Sequence, residues 1–141
     1  MPIIETSSEE ELLAFGERCG RCLGAGNLVF LEGDLGAGKT TWTRGLLRAL
    51  GHTGPVPSPT YTLVESYIFE DLQVFHFDLY RLEQAEELEV IGIRDMLNET
   101  SLVIVEWPRR GSGVLPEPDY VLTLTHIPEG RSVVTNLDVD A

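Results

Sequence analysis

The sequence predicts an α/β fold in which a mostly parallel sheet is flanked by helices and also carries antiparallel strands, including a C-terminal hairpin. An apolar run at residues 28–31 leads into a glycine-rich segment and then into helix formers, which is the order strand, loop, helix. A second run at residues 102–105 is wholly apolar, as in a parallel strand that is buried on both faces. Near the C terminus, two segments of alternating hydrophobicity flank a turn, which is typical of a hairpin.

The composition is that of one domain with a large acidic excess. With 141 residues, 43% of them hydrophobic, the chain can build a sizeable core, and we expect residues 1–141 to form a single domain. The 23 acidic and 10 basic side chains give a formal net charge of −13, which disfavours direct binding to tRNA or DNA. The sequence shows neither a basic and apolar leader nor a stretch of membrane-spanning length, so we expect a cytoplasmic protein without membrane contact.

The first third of the chain is predicted to contain two helices with a strand between them. Residues 6–8 offer a helix cap that carboxylates follow in the first turn, and this helix should run to about Leu23. A core strand is expected at about residues 27–32. The second helix should span about residues 39–50 and end at Gly51, because glycine commonly follows the last turn of a helix.

The middle of the chain is predicted to alternate between a loop, strands and short helices. Residues 54–61 are too rich in proline for a helix or a central strand, so they should form a stiff loop. Strands are expected at residues 62–68 and 72–78. Residues 83–89 are strong helix formers with an acidic, solvated face, and residues 93–97 favour another short helix.

The last third is predicted to hold a buried strand, a basic loop and the hairpin. The strand covers residues 102–106, and the loop at residues 109–113 is basic and flexible. The hairpin should pair residues 120–126 with residues 132–137.

Residues 33–40 fit the pattern G-x-x-x-x-G-K-[ST], which we call the P-loop. Its glycines let successive N–H groups point inward, and the helix that starts near Lys39 adds the positive end of its dipole, so the loop should hold phosphate. Lys39, the only lysine in the chain, should reach the outer phosphates, and the Thr40 hydroxyl should ligate Mg²⁺. The predicted nucleotide-binding residues are Asp34, Leu35, Gly36, Ala37, Gly38, Lys39, Thr40 and Thr41.

Two carboxylates and one hydroxyl are the candidate catalytic groups. Asp78 and Glu106 each end a predicted strand, at the edge where α/β folds bind ligands. Glu106 can hold Mg²⁺ or orient the attacking water, the alternative being a strand-end acid that faces solvent. Thr60 can bind a γ-phosphate and Mg²⁺, or serve as a plain turn residue. We therefore predict catalytic roles for Glu106, Asp78 and Thr60, and metal-site roles for Thr40, Asp78 and Glu106.

The two cysteines form a C-x-x-C pair that we interpret as structural. Cys19 and Cys22 fall near the end of a predicted helix, whereas a redox pair favours a helix N terminus, where the dipole lowers the thiol pKa. The three histidines lack the paired spacing of zinc ligands. Because Cys19 continues an apolar helix face, we expect it to be buried.

Four motifs, taken in order, resemble the TsaE family, also called YjeE, of bacterial tRNA threonylcarbamoyladenosine biosynthesis. The resemblance spans nearly the whole chain and thins after about Pro116. The motifs are the P-loop, Ser58-Pro59-Thr60-Tyr61-Thr62-Leu63-Val64, His76-Phe77-Asp78-Leu79-Tyr80-Arg81 and Glu106-Trp107-Pro108.

The resemblance implies an ATP-binding protein with Mg²⁺-dependent ATPase activity that is weak alone and is stimulated by the TsaB and TsaD proteins. TsaD transfers the threonylcarbamoyl group to the adenosine next to the anticodon in tRNAs that read codons beginning with A. The TsaE-like ATPase would reset the complex between turnovers and would meet tRNA only indirectly. The roles that carry over by motif are Lys39 as phosphate ligand, Thr40 and Asp78 as Mg²⁺-site residues, Glu106 as metal-site or catalytic carboxylate, and Thr60 as switch-loop residue.

Two other functions remain open on the residues alone. A small-molecule kinase would share the P-loop but usually needs an arginine-bearing lid and an acceptor pocket, and a nucleotide sensor would differ only in lacking turnover. A regulatory GTPase is excluded because its Asn-Lys-x-Asp motif needs a second lysine. Arg109 and Arg110 can face nucleotide, a partner or neither.

Overall fold

A seven-stranded mixed sheet organises the protein, and the computed structural model describes residues 3–139. Across the sheet the strand order is β1-β7-β6-β2-β5-β4-β3. The strands are β1 (Ile3–Thr6), β2 (Leu28–Glu32), β3 (Val64–Ile68), β4 (Gln73–Asp78), β5 (Ser101–Glu106), β6 (Tyr120–Ile127) and β7 (Gly130–Thr135).

The centre of the sheet is parallel and both of its sides are antiparallel. Strands β6, β2, β5 and β4 run parallel to one another, whereas β7 and β1 extend one side and β3 the other in antiparallel fashion. The predicted α/β class and the C-terminal hairpin of β6 and β7 are confirmed. The parallel centre brings the carboxyl ends of β2, β4 and β5 to one edge of the sheet.

The helices are distributed unequally over the two faces of the sheet. The helices are α1 (Glu9–Cys22), α2 (Lys39–Ala49), α3 (Glu87–Val90) and α4 (Ile93–Met96), and a 3₁₀ helix spans Pro108–Gly111. Helices α1 and α2 cover one face of the sheet, where they share a core with Val29, Leu31 and Ile104 of the strands. The shorter helices cover the other face. Ser8 caps α1 by accepting a hydrogen bond from the Glu11 N–H, as the sequence predicts. Within residues 3–139, no helix is both long and apolar enough to cross a membrane.

The two long helices touch through their backbones. A Cβ atom added to Gly16 would lie 2.2 Å from the Trp42 carbonyl oxygen, and one added to Gly45 would lie 2.1 Å from the Leu13 carbonyl oxygen. Only glycine permits this approach on each side. Because α1 is locked against α2 in this way, the start of α2, where the P-loop ends, is held in a fixed place.

Strand β5 is buried along its whole length, which confirms the prediction from its apolar sequence. Leu102 and Ile104 pack on the face that carries α1 and α2, and Val103 and Val105 pack on the opposite face. Since successive residues of a strand alternate between faces, Glu106 points to the same face as Ile104. The strand therefore delivers its terminal carboxylate to the side of the P-loop.

Two local predictions were wrong, and one strand was not predicted. Strand β1 was missed, because it is a short edge strand whose pairing with β7 joins the two ends of the chain. The helix predicted at residues 83–89 is confined to α3, because the Glu87 carboxylate accepts hydrogen bonds from the N–H groups of Glu83 and Gln84 and holds that segment as a turn. The loop predicted at residues 109–113 begins as the 3₁₀ helix.

Candidate active site

A cavity of about 840 Å³ lies at the carboxyl edge of the parallel strands. Its walls are the P-loop and the start of α2, the strand-end residues Asp78 and Glu106, and the loop that carries Thr60. The far end is closed by residues 7–9, which lead into α1, and by residues 128–131 at the tip of the β6–β7 hairpin. Its position matches the rule that α/β folds bind ligands outside the carboxyl ends of their strands.

The P-loop presents backbone donors to this cavity. Gly38 precedes α2 with φ of 104°, a left-handed conformation that other residues rarely adopt. The N–H of Trp42 donates to the Gly38 carbonyl, so the three amides of residues 39–41 precede the first hydrogen-bonded turn of α2. These amides, together with the positive end of the helix dipole, form an anion-binding site.

Most of the predicted nucleotide-binding residues line the cavity, and two do not. The residues on the cavity wall are Leu35, Gly36, Gly38, Lys39, Thr40 and Thr41. Asp34 and Ala37 instead face a smaller cleft of about 270 Å³ on the other side of the loop, which also contacts Leu124 and His126. The Ala37 N–H donates to the Asp34 carbonyl at 3.0 Å, so this amide closes a turn within the loop.

Lys39 is buried and folded back onto the P-loop. Its side chain is 5% exposed, and Nζ donates a hydrogen bond to the Gly33 carbonyl at 2.6 Å. Nζ also lies 3.7 Å from Oε1 of Glu106 and 4.2 Å from the centre of the Trp107 ring. Burial lowers the pKa of Lys39 even though Glu106, Asp78 and Asp34 oppose the shift. An anion that displaced the Gly33 carbonyl would relieve this cost.

Trp107 packs beside Lys39 in a strained conformation. Its φ is 55°, in the left-handed region, which costs a residue other than glycine on the order of 1 kcal/mol. The ring packs against Tyr80 with centroids 5.0 Å apart. Its indole nitrogen is buried and has no hydrogen-bond partner in the described part of the chain. Strain of this kind persists where the surrounding structure imposes it. This edge of the sheet therefore carries both a strained backbone and, among the described residues, an unpaired buried nitrogen at Trp107.

Asp78 and Thr60 are joined by a hydrogen bond. The Thr60 hydroxyl donates to Oδ2 of Asp78 at 2.8 Å, and Oδ1 accepts from the Tyr80 N–H at 2.9 Å. The Ser58 hydroxyl lies 2.8 Å from the Thr60 hydroxyl. The loop after α2 is thus tied to the end of β4, and the three predicted catalytic residues lie on one wall.

Glu106 has a buried histidine behind it. Asp78 and Glu106 are register partners at the ends of β4 and β5, so both carboxylates reach the same edge. Oε2 of Glu106 lies 2.6 Å from Nε2 of His76, which is fully buried. His76 is not among the site residues predicted from the sequence. The signal was available, since a spacing of two residues places His76 and Asp78 on one face of the strand.

Arg131 is the second functional residue that sequence reasoning missed. From β7, its Nε donates to the Ala37 carbonyl at 3.1 Å and its Nη2 to the Gly36 carbonyl at 3.2 Å. These bonds brace the P-loop from the side of the hairpin. No local pattern predicts this contact, because it depends on the position of β7 in the sheet.

The remaining candidates lie outside the cavity. Arg109 is 93% exposed, with its Nε 3.9 Å from Glu32, and Nη1 of Arg110 lies 3.4 Å from the Leu82 carbonyl. Neither arginine belongs to the cavity wall. Cys19 is fully buried, as expected, and burial raises the pKa of its thiol to about 12.

Comparisons with known proteins agree on one family. The family model of TsaE, "Threonylcarbamoyl adenosine biosynthesis protein TsaE", matches residues 6–133. A Haemophilus influenzae protein named tRNA threonylcarbamoyladenosine biosynthesis protein TsaE is 51% identical over 106 residues, covering 75% of this chain and 67% of its own. The Bacillus subtilis protein of the same name is 37% identical over 130 residues, with 92% and 81% covered. The crystal structure of B. subtilis YdiB superposes with a TM-score of 0.79 at 27% identity, covering 95% of this chain and 82% of that one.

Proposed function

The chain belongs to the TsaE family of threonylcarbamoyl adenosine biosynthesis proteins, and we propose that it serves this tRNA modification by binding ATP and hydrolysing it slowly. The observation that carries the proposal is the meeting of Lys39, Asp78 and Glu106 in one cavity, next to the amides at the start of α2. A phosphate chain needs donors and a cation, and phosphoryl transfer needs carboxylates close to the transferred group. Both requirements are met within this one cavity.

Lys39 and the P-loop would hold the phosphates. On binding, the ammonium of Lys39 would exchange the Gly33 carbonyl for phosphate oxygens. The amides of residues 39–41 would donate hydrogen bonds to the same phosphates. The exchange is favourable because the lysine is desolvated where it lies, and a polyanion compensates its charge better than one carbonyl does. The nucleoside would then extend toward residues 7–9 and 128–131, which form the rest of the cavity wall.

The donor set fits Mg²⁺. The Thr40 hydroxyl and the carboxylates of Asp78 and Glu106 line the cavity, and these are the hard oxygen ligands that Mg²⁺ prefers. Within residues 3–139, no three or more His, Cys, Asp or Glu side chains cluster closely enough to hold a metal ion. Mg²⁺ in nucleotide enzymes is commonly held by one or two carboxylates together with phosphate oxygens. When bound, it would neutralise the charge that develops on the phosphoryl oxygens.

Thr60 and Glu106 would respond to the γ-phosphate. The Thr60 hydroxyl would leave Asp78 for the γ-phosphate, freeing one oxygen of Asp78 and ordering its loop around a triphosphate but not a diphosphate. Glu106, on the same cavity wall as Asp78, would act on the attacking water or hold the metal. Arg131 is the only arginine on the cavity wall in the described part of the chain, and it is bonded to the carbonyls of Gly36 and Ala37, which supports slow turnover alone and completion of the site by a partner.

The acidity of the chain supports indirect contact with tRNA. A net charge of −13 repels the phosphate backbone, so we propose that the protein acts through TsaB and TsaD in the cytoplasm. The partner proteins would then supply the basic surface that tRNA requires.

Binding is tested by calorimetric titration of Mg-ATP into the wild-type protein and Lys39→Ala. The variant should bind at least about 100-fold more weakly, equivalent to about 2.7 kcal/mol, because it loses the buried ammonium beside the P-loop amides. Arg94→Ala removes an exposed charge on α4 and should bind like the wild type. Equal affinity of Lys39→Ala and wild type would exclude the P-loop as the phosphate site.

Hydrolysis is tested by phosphate release from ATP and GTP, with and without TsaB and TsaD. We expect preference for ATP, stimulation by the pair, and a loss of about 100-fold or more in Glu106→Gln with ATP binding retained. Phosphate transfer to a metabolite would support a small-molecule kinase instead. Tight ATP binding with no release under any condition would support a nucleotide sensor.

A further inference from the structure

The carboxylate of Glu106 is held from behind by a buried ring. His76 lies on β4 two residues before Asp78, so its side chain points to the face of the sheet that carries α2. The ring is fully buried, and Glu106 is 3% exposed. The 2.6 Å between Nε2 and Oε2 is the length of a strong, charge-assisted hydrogen bond.

We propose that His76 is the positioning residue of Glu106: it holds one carboxylate oxygen so that the other faces Lys39 and the cavity. The inference rests on the proposed ATP hydrolysis, in which Glu106 acts directly. Hydrogen bonds from a second layer of residues commonly fix the orientation of carboxylates that serve metals and phosphates. A glutamate has three rotatable side-chain bonds, so an unrestrained carboxylate at the end of β5 would sample several orientations.

Packing alone does not explain a histidine at this position. Its second ring nitrogen, Nδ1, is buried without a hydrogen-bond partner among the described residues. The assignment that leaves no buried donor unpaired therefore places the hydrogen on Nε2, which donates to Glu106. An apolar residue would fill the same space without exposing a ring nitrogen to an apolar environment, so the cost of Nδ1 is offset only by the bond to Glu106.

The bond also controls the distance between Glu106 and Lys39. Oε1 lies 3.7 Å from Nζ, which is beyond hydrogen-bond length, while Nζ donates to the Gly33 carbonyl. Because Oε2 is held by His76, Glu106 does not offer both oxygens to the ammonium. Lys39 thereby keeps a neutral carbonyl as its hydrogen-bond partner, which an anionic phosphate can replace, and does not pair closely with Glu106.

The first test compares His76→Gln with His76→Leu in steady-state ATP hydrolysis, with TsaB and TsaD present to raise the rate. Glutamine can place an N–H close to the position of Nε2, whereas leucine fills the space without a donor. We expect His76→Leu to lose about 10- to 100-fold in kcat with KM little changed, and His76→Gln to recover most of the rate. Equal rates in wild type and His76→Leu, or an equal loss in both variants, would overturn the proposal.

The second test asks whether His76 acts through Glu106. Adding His76→Leu to Glu106→Gln should lower kcat no further than Glu106→Gln alone, because the carboxylate to be positioned is already absent. A further loss as large as that in the wild-type background would mean an independent role. Calorimetric titration with Mg-free ATP checks that His76→Leu retains an intact P-loop and should give the wild-type affinity.

A third measurement needs no nucleotide. Urea unfolding gives the coupling between the two side chains. It is measured on four proteins: wild type, His76→Leu, Glu106→Ala and the double variant. The double variant should be destabilised by less than the sum of the singles. Additive losses would contradict the bond itself. If the wild-type protein neither binds nor hydrolyses ATP while this coupling is present, the proposed function fails and the hydrogen bond stands.

Discussion

The interface between α1 and α2 and the carboxyl edge of the sheet differ in what their side chains do. At the helix interface, Gly16 and Gly45 bring two backbones into contact, and apolar side chains such as Leu46 fill the remaining space. At the edge, Lys39 and Glu106 are buried although both carry charge. The first region contains close packing without buried charge, and the second contains buried charge with incomplete pairing.

This difference indicates that the helix interface stabilises the fold and that the edge of the sheet is the region suited to bind a ligand. Close packing of apolar groups stabilises a domain and leaves no room for a ligand. Buried polar groups cost free energy unless they are paired, and the edge leaves Nδ1 of His76 and the indole nitrogen of Trp107 unpaired within the described chain. The helix interface thus stabilises the fold, whereas the edge holds buried charges, those of Lys39 and Glu106, beside polar atoms without partners among the described residues.

The largest effect should come from the helix interface. Gly45→Ala would bring Cβ to 2.1 Å from the Leu13 carbonyl oxygen, so the two helices must separate. We expect a loss of about 2 kcal/mol or more in the free energy of unfolding, after allowing for the better helix propensity of alanine. Urea unfolding measures it.

Gly24→Ala is the matched control, because nothing lies within 4 Å of the added atom. Its free energy of unfolding should stay within about 0.5 kcal/mol of wild type. Equal stability of Gly45→Ala and wild type would mean that the helices are not locked through their backbones.

A smaller effect is expected where the edge is braced by β7. Arg131→Ala removes two hydrogen bonds to the carbonyls of Gly36 and Ala37, so the P-loop amides lose part of their fixed orientation. Mg-ATP should bind about 10-fold more weakly by calorimetry, or about 1.4 kcal/mol. Arg131→Lys should fall in between, because it keeps the charge but loses the paired donors.

Arg94→Ala serves again as control, since its partner Glu89 is far along the chain from the P-loop. Wild-type affinity in Arg131→Ala would show that the P-loop is rigid without this brace. The edge would then differ from the helix interface only in the buried charges of Lys39 and the carboxylates.

The smallest effect concerns the buried thiol of Cys19 on α1. The pKa of Cys19 is about 12 in the folded protein against 9.0 as the ordinary value, because burial disfavours the thiolate. The unfolded chain therefore releases this proton first as pH rises, so stability is lost above pH 9 and continues to fall toward pH 12. Between pH 8 and pH 10, wild type should lose about 1 kcal/mol more than Cys19→Ala in urea unfolding.

Cys22→Ala is the control on the same helix, because Cys22 is exposed. This variant should follow the wild-type dependence on pH. If Cys19→Ala and wild type lose stability equally, Cys19 is not shielded as its burial indicates.

The parts of the fold that local sequence determines were predicted. The apolar run at residues 28–31 and the P-loop after it predicted the strand, loop and helix order, and the apolar run of β5 predicted a strand that is buried on both faces. The same local signals placed Asp78 and Glu106 at strand ends, and the structure sets them side by side. These predictions succeed because hydrophobic period and glycine position act over a few residues.

The parts that depend on long-range pairing were not predicted. Strand β1 and the brace from Arg131 both require β7 to lie where the two ends of the chain meet, and strand order leaves no local trace. The helix expected at residues 83–89 was shortened because the Glu87 side chain competes for the backbone N–H groups. Propensity alone does not capture that competition.

Hydrogen exchange with and without saturating Mg-ATP tests most directly whether the edge and not the helix interface receives the nucleotide. At short exchange times, the amides of residues 38–41 and of the Thr60 loop should exchange more slowly with Mg-ATP, while those around Gly16 and Gly45 should be unchanged. Unaltered exchange at residues 38–41 with ATP bound, or protection confined to another surface, would contradict the assignment of the P-loop as the phosphate site.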